Sequence, residues 1–215
     1  MKKTTLSIIL ATSALAADAQ SFKQLFLTMP EEICPLLSEY NRLELVDNQA
    51  NGKEMKTRNH FKAFSQMTEL TDTYANLTLS PSASKTFKML ATDKGDSIIM
   101  VVSTIVCDSV ADSSVSFYTT GWEPLATSDY ISLPATDLFR QITVSAQDDT
   151  LTLTTRDPYT LTLDGRNRRP AVPVLSTETY TWTTVRFQQE TKGKPARHER
   201  ITSKTRKDNQ QDTKG

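Results

Sequence analysis

The chain has 215 residues, 25 Lys and Arg against 25 Asp and Glu, and a formal net charge of zero. This length fits one domain, and the balanced charge excludes the global field that would attract nucleic acid or an anionic membrane. Two histidines leave little material for a His-based triad or a multi-His metal site. We therefore predict no nucleic-acid partner, no cofactor and no metal site.

The start of the chain predicts an export signal, residues 1–19. Lys2-Lys3 is a positive start, Leu6 to Leu15 is an apolar run too short to span a bilayer, and Ala17-Asp18-Ala19 supplies the pattern that a signal peptidase needs. We expect cleavage near Ala19, a periplasmic or secreted mature protein, and no membrane span.

The segment after the signal predicts two short helices. Thr28 precedes a proline and a glutamate, which is typical of a helix start, and Asn41 with Glu44 repeats the capping pattern. We expect the break between the helices near Ser38 to Asn41. The polar stretch Asp47–Arg58 then ends the helical unit.

Beyond Phe61, apolar residues alternate with a period of two, which predicts antiparallel strands. Ser97 to Cys107 is apolar on both alternating faces, so we expect it to be the central strand, covered on both sides over part of its length. The other strands predicted here are Met67–Asp72 with Tyr74–Leu79 as one long or bent strand, Lys85–Leu90, and Ser114–Thr120. The fold class is therefore α+β, with an N-terminal short helix pair packed on an antiparallel β-meander.

The second half of the chain repeats the order of a helical segment followed by antiparallel strands, with a smaller helical segment. Leu133–Phe139 predicts one helical turn, and the strands predicted after it are Ile142–Ala146, Thr150–Thr155, Tyr159–Leu163 and Thr177–Gln188. The order suggests a duplicated helix-plus-sheet unit, with halves 20–125 and 126–189 of a single α+β domain, 20–189. Hydrophobic residues vanish afterwards, so 190–215 is predicted to be a disordered polar tail.

Two features have recognition potential. Arg166, Arg168 and Arg169 form a basic loop that either grips a carboxylate or sulfate through bidentate donors or is simply solvated. Trp122 either stacks on a sugar ring or covers the end of the core. The partner expected from these features is a protein or a glycan.

The cysteines and strand-end aspartates leave alternatives open. Cys34 and Cys107 either form one disulfide, which would stabilise the fold by about 3–5 kcal/mol, or remain unpaired thiols buried as small hydrophobes. Turn chemistry explains the aspartates better than a calcium loop, because their spacing lacks the calcium-loop register. These aspartates are Asp93, Asp96, Asp108 and Asp112.

Four segments together resemble one known family: Leu25–Pro30, Asn41–Asp47, Leu70–Tyr74 and Ser116–Leu125. They resemble the exported Bacteroidetes family catalogued as domain of unknown function 3256, over most of the mature chain. The family has no established activity. The resemblance therefore implies an exported single domain and carries over no site residue.

The favoured hypothesis is an exported, non-catalytic binding or interaction protein with no catalytic residue assigned. One alternative is a secreted hydrolase whose Asp/Glu pair is gathered only by the fold. Another is an accessory subunit of a periplasmic or surface complex, with its partner bound along a sheet edge. Two facing carboxylates in one cleft, one with a raised pKa, would favour the hydrolase.

Overall fold

The computed structural model describes residues 21–107, 110–157, 162–163 and 170–190. The helices in these ranges are α1 (Phe22–Thr28), α2 (Glu39–Ala50) and α3 (Thr127–Tyr130), with a 3-10 turn at Glu31–Ile33. The strands are β1 (Lys56–Arg58), β2 (Phe64–Leu70), β3 (Tyr74–Ser80), β4 (Ala83–Ala91), β5 (Ser97–Cys107), β6 (Val110–Thr119), β7 (Pro124–Leu125), β8 (Phe139–Val144), β9 (Thr150–Arg156), β10 (Thr162–Leu163), β11 (Pro170–Ala171), β12 (Val174–Trp182) and β13 (Phe187–Gln189).

Antiparallel sheet dominates the fold, and helices are few. Strands β1 to β7 pair in chain order as a seven-stranded sheet, while a four-stranded sheet has the order β13-β12-β9-β8 and β10 pairs with β11. One buried cluster joins α1 and α2 to one face of the seven-stranded sheet. A second cluster joins the opposite face of that sheet to the four-stranded sheet.

Strand β5 lies between these two clusters, as its sequence predicts. Ile99 and Val101 belong to the cluster on the helix side, whereas Ile98, Met100 and Val102 belong to the cluster between the sheets. Successive side chains of a strand point to opposite faces, so a strand covered on both sides needs apolar residues at every position. The cover is partial, because Ile105 near the end of β5 is 66% exposed.

The helix boundaries differ from the predicted ones. Thr28 ends α1 instead of starting a helix, and its hydroxyl donates to the carbonyl oxygen of Leu25 at 3.2 Å. Ser38, not Asn41, caps α2: the Asn41 backbone N–H donates to Ser38 Oγ at 3.3 Å, and Asn41 Oδ1 accepts from the Ser38 N–H at 3.1 Å. Asn41, at the third helical position, thus completes a capping box that begins at Ser38. The sequence pattern places this cap three residues later, at Asn41 itself.

Two strand predictions also need correction. The single long strand predicted from Met67 to Leu79 is the hairpin β2–β3, because the Thr71 hydroxyl accepts the Tyr74 N–H at 3.0 Å and closes a turn there. The helical turn predicted at Leu133–Phe139 is absent, and Phe139 instead begins β8. Thr177–Gln188, predicted as one strand, is divided between β12 and β13 by a turn.

A buried lysine joins the two sheets. Lys88 of β4 is 3% exposed, and its Nζ donates to the carbonyl oxygens of Ser145 and Ala146 at 3.4 Å each and of Asp148 at 3.0 Å. The Asp149 carboxylate lies 3.3 Å from the same nitrogen. The turn between β8 and β9 is therefore fixed over β4.

Within the ranges given above, every helix is too short or too polar to cross a bilayer.

Candidate functional site

A concavity lies at one end of the two packed sheets. It has a volume of about 440 Å³, and we call it the turn-end cleft. Its walls come from the β4–β5 turn, the end of β6, β7, α3 and the β12–β13 turn. The lining residues are Thr92, Asp93, Lys94, Asp96, Ser97, Ile98, Thr119, Thr120, Leu125, Asp129, Tyr130, Thr184 and Val185.

The β4–β5 turn forms one wall, and its own hydrogen bonds shape it. The Thr92 N–H donates to the Asp96 carbonyl oxygen at 2.9 Å, and the Thr92 hydroxyl donates to the Asp96 carboxylate. Gly95 takes a φ of 85°, a conformation in which a side chain would be strained. This arrangement agrees with the turn role predicted for Asp93 and Asp96. The predicted role of Asp108 lies outside the described residues.

The β12–β13 turn forms a second wall and carries backbone strain. Thr184 has a φ of 67°, which is unusual for a β-branched residue and costs on the order of 1–3 kcal/mol. The turn is held by the Thr183 N–H donating to Arg186 O at 3.1 Å. The Asp93 N–H also donates to Thr184 O at 3.1 Å, so the two walls are connected. Strain of this kind persists where the surroundings impose it, and it clusters at ligand-binding segments.

An aromatic layer supports the third wall. The Tyr130 ring lies 5.0 Å from the Phe117 ring and 6.2 Å from that of Trp182, tilted by 30° in both pairs. Trp182 is fixed in turn, because its Nε1–H donates to the Ala91 carbonyl oxygen at 2.7 Å. Tyr130 is half-buried. The cleft therefore has one partly exposed aromatic residue on a rigid support.

The cleft has a negative charge balance. Its carboxylates are Asp93, Asp96 and Asp129, all exposed, and Lys94 is the cation among its lining residues. The other polar side chains of the lining carry hydroxyl groups. Such a lining favours ligands that donate hydrogen bonds and disfavours anions. Within the described residues, no group of three acidic, His or Cys side chains is placed to hold a metal ion.

Trp122, predicted as a binding residue, belongs to the core. It is 6% exposed, its Nε1–H donates to the Leu25 carbonyl oxygen at 3.0 Å, and its ring meets the Phe87 ring edge-on at 6.3 Å. Of the two alternatives in the sequence, covering the core is the correct one. A buried indole has no face left for a sugar ring. The basic loop of Arg166, Arg168 and Arg169 lies outside the described residues.

The two cysteines are free in the structure. Cys34 is buried on the helix side of the seven-stranded sheet, whereas Cys107 is exposed at the end of β5. Burial raises the pKa of the Cys34 thiol to about 11, even though the charges of Lys85 and Arg42 act in the opposite direction. A thiol with this pKa is a poor nucleophile. Neither disulfide chemistry nor thiol catalysis follows from this geometry.

A serine and a lysine pair beside Cys34. Lys85 Nζ donates to Ser103 Oγ at 2.6 Å, and burial lowers the pKa of Lys85. Such a contact resembles the pairing of a nucleophile with its base. Ser103 nevertheless lies in the middle of β5, whose backbone pairs with both β4 and β6. Because the strand is paired on both sides at Ser103, the neighbouring backbone N–H groups serve the sheet and do not form an oxyanion hole. The contact therefore has a structural role.

The sequence does not predict the cleft. It predicts Asp93 and Asp96 as turn residues, because a turn with glycine separates two strands, and assigns them no ligand. Asp129, Tyr130 and Thr184 carry no local signal, since they enter the cleft only when α3 and the β12–β13 turn pack beside the β4–β5 turn.

A family model described as "Protein of unknown function (DUF3256)" matches residues 14–187. Among solved structures, the chain is similar to "Structure of a domain of an uncharacterized protein from Porphyromonas gingivalis W83", with a TM-score of 0.65 and 21% sequence identity. That match covers 80% of this chain and 98% of the other. Comparison with curated proteins gives no match. The structural likeness supports the fold and assigns no ligand.

Proposed function

Because the chain belongs to the family described as protein of unknown function DUF3256, which assigns no activity, we propose a function from the geometry of the turn-end cleft. The protein is an exported binding protein, and its ligand is a neutral glycan held in that cleft. The cleft volume of about 440 Å³ carries this proposal. It lies within the range of about 300–1,000 Å³ that small-ligand sites occupy.

The chemistry of the lining favours a neutral, hydroxyl-rich ligand. Carboxylates accept hydrogen bonds from sugar hydroxyls, and the threonine and serine hydroxyls both donate and accept. Asp93 and Asp129 lie on different walls, so a ligand between them contacts two otherwise separate segments. The supported ring of Tyr130 offers an apolar surface for the face of a sugar. Three carboxylates against one lysine disfavour an anionic glycan.

The exposure of the same carboxylates argues against the hydrolase alternative. Asp93, Asp96 and Asp129 are all exposed. The general acid of a glycoside hydrolase is kept protonated at neutral pH mainly by burial in an apolar pocket. The lining supplies acceptors for a bound glycan without the buried acid that cleavage requires. Export follows from the predicted signal in residues 1–19 and forms part of the same proposal.

A glycan array followed by titration calorimetry tests this function. We expect the full chain to bind a subset of neutral glycans, and a double variant, Asp93→Asn with Asp129→Asn, to weaken that binding at least about tenfold because two charge-assisted hydrogen bonds are lost. The matched control replaces two exposed carboxylates outside the cleft, Asp47→Asn with Asp72→Asn, and binds normally.

Three outcomes contradict the proposal. One is that no neutral glycan binds. Another is that the cleft variant and the control lose affinity equally. The third is release of new reducing ends from a bound glycan, abolished by the cleft variant, which would establish the hydrolase.

A further inference from the structure

Another surface holds exposed aromatic rings among cations, and none of its residues lines the turn-end cleft. It is formed by strand β1, the β1–β2 loop and the start of β2. We call it the aromatic–basic corner. Its residues are Lys56, Arg58, Phe61, Lys62 and Phe64.

Phe61 projects from the loop and is held there by a buried side chain. Its side chain is 79% exposed, whereas Asn59 is 4% exposed. Asn59 Oδ1 accepts the N–H groups of Phe61 at 3.0 Å and Ala63 at 3.2 Å. Its Nδ2 donates to Ser65 Oγ at 3.0 Å and to the Leu79 carbonyl oxygen at 2.9 Å. The loop is thus anchored to the sheet, and a large apolar ring is kept in solvent.

The next residue adds strain to the same loop. Lys62 has a φ of 61°, and its N–H donates to the Asn59 carbonyl oxygen at 2.8 Å. The Arg58 guanidinium donates to the Lys62 carbonyl oxygen at 3.1 Å, and the His60 N–H donates to Leu36 O at 3.2 Å. A lysine in the left-handed region is uncommon and costs free energy. The fold therefore imposes this conformation, which is expected where a surface has a function.

Two cations lie over a second exposed ring. Phe64 is 51% exposed, with Lys56 Nζ at 4.7 Å and Arg58 Cζ at 4.5 Å from its ring centroid. Lys56 also pairs with Glu54, whose carboxylate oxygen lies 3.8 Å from Lys56 Nζ. Both side chains are exposed, so this ion pair is weak. On the side of β1 that carries Phe64, the three cations Lys56, Arg58 and Lys62 outnumber Glu54, whereas Glu44 accepts the hydroxyl hydrogen bond of Thr57 on the opposite side, toward α2.

We propose that the aromatic–basic corner docks the protein on an anionic lipid surface. Phe61 enters the boundary between headgroups and acyl chains, and Lys56, Arg58 and Lys62 contact lipid phosphates. The charge complementarity is direct, and a projecting aromatic residue with basic neighbours is typical of interfacial anchors. A projecting ring fits a soft lipid surface, whereas a small ligand needs a concavity.

Vesicle co-sedimentation with the full chain tests this proposal. We expect binding to vesicles of phosphatidylcholine with phosphatidylglycerol, little binding to pure phosphatidylcholine, and loss of binding as salt rises. Phe61→Ala should reduce the partition coefficient about tenfold. Lys56→Ala, Arg58→Ala and Lys62→Ala together should reduce it on the order of a hundredfold, since each basic residue contributes a factor of about five.

Two matched controls carry the same kinds of change elsewhere. Ile105→Ala removes an exposed apolar side chain, and Lys23→Ala removes a cation of α1. Both should bind like the wild type, and thermal melting should show all variants folded. The proposal is overturned by absence of binding to the anionic vesicles, by unchanged binding of Phe61→Ala, or by equal losses in the controls. It is also overturned if Phe61→Ala abolishes a lipid-independent dimer, which would make the corner a contact between copies of this chain.

Discussion

Replacing Trp122 distinguishes its core role from the surface role that the sequence also allowed. The side chain is 6% exposed, and its ring packs against those of Phe87 and Tyr118. Trp122→Ala removes the ring and leaves a cavity, so we expect a loss of about 3–5 kcal/mol in the free energy of unfolding. Trp122→Phe retains most of the packing and loses the hydrogen bond to Leu25 O. It should cost about 1–2 kcal/mol, because that oxygen keeps the Thr28 hydroxyl as a partner.

Urea unfolding followed by far-UV circular dichroism measures both losses without relying on tryptophan fluorescence. Phe61→Ala is the matched control, since it also truncates an aromatic ring but at a position that is 79% exposed. We expect the control to change the free energy of unfolding by less than about 0.5 kcal/mol. If Trp122→Ala is as stable as this control, the placement of Trp122 in the core is wrong.

Three further predictions follow from buried groups. Lys88→Met should destabilise the fold by about 2 kcal/mol in urea unfolding, because it leaves three carbonyl acceptors without their donor, whereas Asp149→Asn should cost under about 1 kcal/mol. Alkylation of the native protein, read by mass spectrometry, should modify Cys107 and spare Cys34 until denaturant is added. Burial raises the pKa of the Cys34 thiol from 9.0 to about 11 and that of the Tyr180 phenol from 10.0 to about 12, the latter helped by Glu178. In each case the folded state holds the proton more tightly, so the contribution of these two groups to stability should be constant below pH 9 and be lost as the pH rises through these values. Equal alkylation of both thiols, or a flat alkaline stability profile, would contradict these assignments.

The sequence predicts those elements that local patterns determine. Ser97–Cys107 reads as the central strand because apolar residues occupy both alternating faces, and the structure covers both faces of β5 from Ile98 to Val102. The predicted boundary of α2 differs because Ser38 and Asn41 are both good capping residues, and the Asn41 amide is held inside the helix by its bonds to Thr57 Oγ1 and the Arg58 carbonyl oxygen, each at 2.9 Å. Tertiary contacts decided between two acceptable local choices.

The candidate sites were less predictable for the same reason. The sequence around Trp122 does not show whether the ring covers the core or contacts a ligand. Its place in the core depends on a hydrogen bond to Leu25, 97 residues away in the chain. The turn-end cleft exists only because the β12–β13 turn meets the β4–β5 turn through Asp93 and Thr184. No window of sequence contains both segments. The projection of Phe61 likewise depends on a hydrogen bond from Asn59 to the distant Leu79.

The most direct test of the account is to map a bound neutral glycan by backbone amide chemical shifts. We predict that the largest shifts fall on both walls of the turn-end cleft, around Asp93, Asp129 and Thr184, while the loop carrying Phe61 is unchanged. Shifts confined to one wall, or centred on the Phe61 loop or on residues outside the described ranges, would contradict the assignment of the cleft as the binding site.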